Sequence, residues 1–89
     1  MQRWEITFTG TVQGVGFRYT TTRIARNFNV TGFVKNIPDG SVRLVAEGPE
    51  DELSSFLNRI QDRMSGYIRD TQVGKSEAAG EFNNFTVGY

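Results

Sequence analysis

A glycine-containing loop between a strand pattern and a helix pattern is the feature that most constrains the fold of this chain. Trp4, Ile6 and Phe8 alternate with polar residues, as in a strand with one buried face. A helix pattern follows the loop, which consists of Gln13, Gly14, Val15, Gly16, Phe17 and Arg18. Two glycines allow the backbone to curl, so that its N–H groups and the helix N-terminus converge beside an arginine. This arrangement is typical of a phosphate-binding site.

The remaining patterns predict the order β-α-β-β-α-β with an additional short C-terminal strand. Helices are predicted over residues 19–28 and 50–66, the second with one apolar stripe from Leu53 to Met64. Strands are predicted over residues 30–37, 41–47, 67–73 and 85–89, with a turn at residues 38–40 and a loop or frayed strand end at residues 74–80. This order predicts an α+β fold, the ferredoxin-like α/β sandwich, with an antiparallel sheet and both helices on one face.

Local signals predict how the first helix begins and ends. A threonine among residues 20–22 would provide an N-cap. Asn29 stands where the chain leaves the helix, and asparagine tolerates the left-handed conformation common there. The four arginines of the two helices are predicted to lie on solvated faces; they are Arg23, Arg26, Arg59 and Arg63.

Length and composition restrict the class of protein. A chain of 89 residues predicts one domain, spanning residues 1–89. Ten basic and ten acidic residues give a net charge of zero, which argues against nucleic acid as a partner. Neither cysteine nor histidine is present, so a thiolate nucleophile and a histidine base are excluded. Charges near the N-terminus and the lack of an apolar run of ~20 residues predict a cytoplasmic protein that does not enter the membrane.

Asn36 is the second residue for which the sequence suggests chemistry. It lies near the end of the second predicted strand, just before the turn at residues 38–40. In the predicted topology, this strand end and the loop after the first strand can approach each other. An amide can hold a water molecule through its oxygen or its nitrogen, but it cannot accept a proton at neutral pH.

Two segments resemble the signatures of the acylphosphatase family. Residues 10–18 are similar to the first signature, and residues 32–36 with Gly40, Ser41, Val42 and Gly48 are similar to the second. The resemblance implies hydrolysis of the carboxyl–phosphate bond of acyl phosphates by a monomer, without a metal or an organic cofactor. It also implies that Arg18 and the amides of residues 13–18 bind the phosphate and that Asn36 orients the attacking water. The chain departs from the family pattern with Asn29 and Gly88, where glycine and arginine are common.

Three other interpretations stay open at this point. The same loop could hold an anion or carbamoyl phosphate without catalysis, as an acylphosphatase-like domain does within larger carbamoyltransferases. An RNA-binding module on the same fold would need basic and aromatic residues on the open sheet face, which the neutral composition disfavours. The acidic run at residues 50–52 could bind a metal, but acids in the first turn of a helix also complement its dipole.

Overall fold

Two helices pack on a five-stranded sheet in the computed structural model, which describes residues 1–88. In chain order the elements are β1 (Gln2–Gly10), α1 (Phe17–Ala25), β2 (Thr31–Asn36), β3 (Val42–Gly48), α2 (Glu50–Arg63), β4 (Ile68–Glu77) and β5 (Phe85–Val87). The strands lie in the order β4-β1-β3-β2-β5. All neighbours are antiparallel except β2 and β5, which pair in parallel, so the sheet is mixed at that edge. The predicted ferredoxin-like fold is confirmed, but the prediction of a wholly antiparallel sheet is corrected, because β5 adds to the edge of β2 in parallel.

The hydrophobic core lies between the helices and one face of the sheet. β1 contributes Trp4, Ile6 and Phe8 to it, and the facing positions of β3 are Val42, Leu44 and Ala46. The predicted stripe of α2 is buried against them through Leu53, Phe56, Leu57, Ile60 and Met64. Burial of each large side chain stabilises the fold by about 1.5–3 kcal/mol. No helix within residues 1–88 is long and apolar enough to cross a membrane.

Helix α1 begins earlier than predicted, and its predicted threonine cap is wrong. The N-cap is Gly16, in the left-handed conformation with φ 75° and without a side-chain cap hydrogen bond. Residues 20–22 lie inside the helix, where the hydroxyl of Thr22 donates to the carbonyl of Arg18 at 2.8 Å. The loop before α1 therefore leaves the first helical N–H groups without a capping side chain.

Helix α1 also ends earlier than predicted. Its last turn tightens, because the N–H groups of residues 26–28 donate to carbonyls three residues before them. The predicted left-handed conformation of Asn29 is wrong, since only glycines have positive φ within residues 1–88. The N–H of Asn29 instead donates to the carboxylate of Glu52 at 2.7 Å. This hydrogen bond ties the end of α1 to the first turn of α2.

Strand β4 extends beyond its predicted end. Residues 74–77, predicted as a loop or frayed end, continue the pairing with β1 as far as Gln2 and Glu77. Their side chains are exposed at the sheet edge, so no apolar alternation marks them in the sequence. The last strand is shorter than predicted, and Tyr89 lies outside the described residues.

A buried carboxylate holds the connection between the two edge strands. Residues 78–84 cross the sheet face opposite the helices, where the ring of Phe82 packs against Phe33 with centroids 5.8 Å apart. Glu47 is 5% exposed and accepts hydrogen bonds from the N–H groups of Ala79 and Gly80 at 2.9 and 3.0 Å. Desolvation raises the pKa of this carboxyl, but these N–H donors and the nearby Arg3 outweigh it, so the pKa of Glu47 lies below its ordinary value.

We expect Glu47→Gln to lower the free energy of unfolding at neutral pH by about 1–3 kcal/mol, because a buried charged acceptor of two backbone N–H groups is lost. The pKa of Glu47 is lowered on folding, so its stabilisation is present above the unfolded value near 4.5 and is lost as the pH falls through the folded value. Urea unfolding should therefore show that the free energy of unfolding of Glu47→Gln differs from that of wild type less at acidic pH than at neutral pH. The matched control is Glu77→Gln on exposed β4. If the loss of unfolding free energy in Glu47→Gln did not depend on pH, or if Glu77→Gln lost as much, the proposed role of the Glu47 carboxylate would be contradicted.

Candidate active site

Two glycines shape the loop between β1 and α1. Gly14 and Gly16 have φ angles of 77° and 75°, in the left-handed region that other residues rarely adopt. A Cβ atom at either position would meet nothing within 4 Å. The backbone conformation, and not crowding, therefore requires glycine at these two positions.

Both ends of the loop are anchored in the core. Val12 and Phe17 are 1% and 2% exposed, and the ring of Phe17 packs against Phe8 with centroids 5.0 Å apart. The N–H of Thr11 donates to the carbonyl of Tyr67 at 2.9 Å, which joins the loop to the start of β4. These contacts keep the loop in one place relative to the sheet.

The N–H groups of the loop are available to a ligand. Within residues 1–88, no backbone carbonyl accepts a hydrogen bond from the N–H of Gly14, Val15, Gly16, Phe17 or Tyr19. The first bond of α1 runs from the N–H of Thr20 to the carbonyl of Gly16 at 2.9 Å. Free donors at the positive end of a helix dipole form a site for an anion.

One cavity brings the loop and the end of β2 together. It measures about 360 Å³, and Gly14, Gly16, Phe17, Arg18 and Asn36 all line it. Arg18 is half-buried at the first turn of α1, and Asn36 is the last residue of β2. The approach of Asn36 to the loop, expected from the topology, is therefore present. Two loop residues, Gln13 and Val15, do not line the cavity.

Gln13 has a side-chain contact that the sequence did not reveal. Its Nε2 donates to the carbonyls of Ile37 and Ser41 at 2.7 and 2.8 Å. These two carbonyls belong to the turn between β2 and β3, directly after Asn36. The side chain of Gln13 thus connects the loop before α1 to the hairpin that carries Asn36. Only the three-dimensional pairing of the two segments identifies this contact.

The turn between β2 and β3 is itself held by hydrogen bonds. Asp39 accepts from the N–H and the hydroxyl of Ser41 at 2.9 and 2.6 Å. These hydrogen bonds lower the pKa of the Asp39 carboxyl. The N–H of Ile37 also donates to the carbonyl of Ser41 at 2.9 Å. The turn predicted at residues 38–40 is therefore present and holds the end of β2.

Further basic and aromatic side chains line the cavity beyond the predicted site residues. Tyr19 and Arg23 line it from α1, Arg26 from the position directly after α1, and Val87 from β5. Arg23 and Arg26 are exposed, as predicted. The sequence did not predict that both also line the cavity. Their spacing from Tyr19 by four and seven residues places all three on one helical face, and this is the signal that could have identified them.

The acidic residues at the start of α2 complement the dipole of that helix. All three acids occupy the first turn of α2; they are Glu50, Asp51 and Glu52. Gln2 donates to Glu50 at 3.0 Å, and Glu52 accepts from Asn29 as described above. Within residues 1–88, no three side chains of the metal-ligating types His, Cys, Asp and Glu converge on a common point.

Known proteins resemble this chain over nearly its whole length. The acylphosphatase family model matches residues 4–87. An acylphosphatase of Lactobacillus gasseri is 43% identical over 83 residues, which are 91% of this chain and 91% of the relative. One of Salinibacter ruber is 48% identical over 80 residues, 89% of this chain and 84% of the relative. The crystal structure of acylphosphatase from Bacillus subtilis matches with a TM-score of 0.91 at 34% identity, covering all of both chains.

Proposed function

Because this chain belongs to the acylphosphatase family, we propose that residues 13–18 and Asn36 carry out its reaction. The chain is a hydrolase that cleaves the carboxyl–phosphate bond of acyl phosphates, giving a carboxylate and inorganic phosphate. An enzyme of this family is distinct from the non-catalytic anion-binding module and the RNA-binding module considered for the sequence. The observation that carries the proposal is the single cavity lined by Arg18, Asn36 and the loop glycines.

The loop and Arg18 bind the phosphoryl group of the substrate. Its oxygens accept hydrogen bonds from the loop N–H groups at the N-terminus of α1. The guanidinium of Arg18 donates two parallel hydrogen bonds to the same group and balances its charge. In a loose phosphoryl transition state the charge is spread over the three equatorial oxygens, which these donors contact.

Asn36 holds the water that attacks phosphorus. Its amide accepts a hydrogen bond from the water or donates one to it, which aligns the oxygen opposite the leaving carboxylate. The bond from the water oxygen to phosphorus forms as the bond from phosphorus to the acyl oxygen breaks. The rigid hairpin, tied to the loop through Gln13, keeps the amide at a constant position relative to the phosphoryl group.

The reaction needs no acid or base from the protein. The leaving group is a carboxylate whose conjugate acid has a pKa of ~4–5, so it departs without being protonated. The proton of the attacking water passes to an oxygen of the phosphoryl group. These steps use only a guanidinium, backbone N–H groups and an amide, and neither a metal nor an organic cofactor takes part in them.

The proposal extends to the form in which the protein acts. We propose that residues 1–89 make up one domain that functions as a monomer in the cytoplasm. A single core receives side chains from β1, β2, β3 and both helices, which supports one domain. Size-exclusion chromatography with light scattering tests the monomer. A mass twice that of the 10.0 kDa chain would contradict it.

Titration of nitrogen-15-labelled protein with inorganic phosphate tests the binding role of the loop. We expect the amide signals of Gly14, Val15, Gly16 and Phe17 to move most, because their N–H groups receive the anion. Signals of the outer strand β4 serve as the internal control, and an equal concentration of chloride controls for ionic strength. Loop signals that stay in place at saturating phosphate would contradict the proposed site.

A further inference from the structure

A second cavity adjoins the phosphate cavity between α1 and α2. It measures about 280 Å³, and its charged lining residues are Arg23, Arg59 and Arg63. Tyr19 and Arg23 line both cavities, so the two spaces share a boundary. Tyr19 is 65% exposed, and Arg23 donates a hydrogen bond to its hydroxyl at 3.0 Å. This hydrogen-bonded pair of side chains therefore forms the boundary between the two cavities.

The two cavities concentrate the positive charge of a neutral chain. Five of the ten basic residues line them: Arg18, Arg23, Arg26, Arg59 and Arg63. No Asp or Glu within residues 1–88 belongs to either lining. Clustered charge of one sign in a concave surface strengthens the local field and attracts counter-ions. The second cavity is therefore suited to an anion.

The arginines of the second cavity have no acidic partner in the described part of the chain. Ion pairs between side chains of residues 1–88 involve Arg3 and Arg43, on the opposite face of the sheet. The guanidinium carbon of Arg59 instead lies 5.7 Å from the centre of the Phe28 ring, and that of Arg23 lies 5.5 Å from the Tyr19 ring. Aromatic contacts therefore orient Arg23 and Arg59, and no carboxylate of residues 1–88 forms an ion pair with either guanidinium.

We propose that Arg23, Arg59 and Arg63 form a second anion subsite that selects acyl phosphates whose acyl group carries a further negative charge. This inference rests on the proposed function, because it needs the phosphoryl group seated on the loop. An acyl group that extends past Tyr19 then places a terminal carboxylate or phosphate among the three guanidinium groups. Each of them donates charge-assisted hydrogen bonds to such a group.

Two matched substrates test the subsite. Benzoyl phosphate and 4-carboxybenzoyl phosphate differ only in a carboxylate at the far end of a rigid ring. The ratio of their kcat/KM values is measured in wild type, Arg59→Gln and Arg63→Gln, so that differences in intrinsic reactivity cancel between proteins. We expect each substitution to reduce the preference for the carboxylated substrate about three- to five-fold, as for one partly exposed ion pair. The matched control is Arg69→Gln on β4, which removes the same charge outside both cavities.

The possible outcomes separate this inference from the proposed function. A ratio that falls in Arg59→Gln and Arg63→Gln but not in Arg69→Gln supports the subsite. A ratio that stays constant in all proteins, or that falls equally in the control, overturns it even though both substrates are hydrolysed. Failure of the wild-type protein to hydrolyse either substrate would contradict the proposed function as well as the subsite that depends on it.

Discussion

Replacing Arg18 with alanine should lower kcat/KM for benzoyl phosphate by about a thousand-fold or more. In the proposed mechanism the guanidinium contacts phosphoryl oxygens that carry the charge of the transition state, and arginines in such a role contribute 10³–10⁵ to the rate in other phosphoryl-transfer enzymes. Arg18→Lys should recover only part of the loss, because an ammonium keeps the charge but cannot donate two parallel hydrogen bonds. Steady-state kinetics of the three proteins measure both effects.

The matched control for Arg18→Ala is Arg69→Ala, which removes an arginine from the exposed edge strand β4. It should retain wild-type kinetics. Thermal unfolding of each variant checks that the fold persists. If Arg18→Ala kept more than a tenth of the wild-type kcat/KM while folded, Arg18 would not be the phosphate-binding residue of the reaction.

Asn36→Ala is expected to lower kcat by about 10²–10³-fold while leaving the affinity for inorganic phosphate near that of wild type. In the proposed mechanism the loop and Arg18 bind the phosphate, whereas the amide acts on the attacking water, so the loss should appear in the chemical step. Benzoyl phosphate kinetics give kcat, and competitive inhibition by inorganic phosphate gives the affinity.

The control for Asn36→Ala is Asn58→Ala, at an exposed position of α2. Asn36→Asp adds a sharper comparison, because the side chain keeps its shape but places a negative charge beside the bound phosphate. It should therefore weaken phosphate binding as well as turnover. Wild-type kcat in Asn36→Ala would contradict the water-holding role, and a loss confined to phosphate affinity would assign Asn36 to binding.

The fold was predictable because β1 and α2 each bury one face. Trp4, Ile6 and Phe8 alternate on β1, and the stripe from Leu53 to Met64 repeats at helical spacing, so local patterns report the core directly. The end of β4 carries no such pattern, since both faces are exposed at the sheet edge. Its length depends on hydrogen bonds to β1, which no local pattern reports.

The ends of α1 were predicted wrongly because tertiary contacts decided them. Asn29 does not adopt the left-handed conformation, and its N–H donates a hydrogen bond to Glu52, which is distant in the sequence. Gly16 replaces a threonine as the N-cap because the loop turns at that residue to present its N–H groups. Local propensity is a weak guide where a distant partner satisfies the backbone.

The sequence predicted residues that line one cavity, Arg18 and Asn36 among them, but not the contacts around them, and the roles of these residues stay predictions. Glycines and an arginine beside a helix N-terminus are typical of anion binding, but only the resemblance of two segments to the family signatures made this interpretation specific and singled out Asn36. The contact of Gln13 with the hairpin, and the cavity that Arg59 lines together with Arg23, involve residues that lie far apart in the sequence. Such pairings follow from the packing of the loop on the sheet and of α1 on α2.

Hydrolysis of benzoyl phosphate in water enriched in oxygen-18 tests most directly whether water attacks phosphorus in this cavity. Mass spectrometry of both products locates the label after a single turnover. Attack by a water held at Asn36 on a phosphoryl group held by Arg18 predicts the label in inorganic phosphate and none in benzoate. Label in benzoate would mean that water attacks the acyl carbon, which would contradict the roles assigned to Arg18 and Asn36.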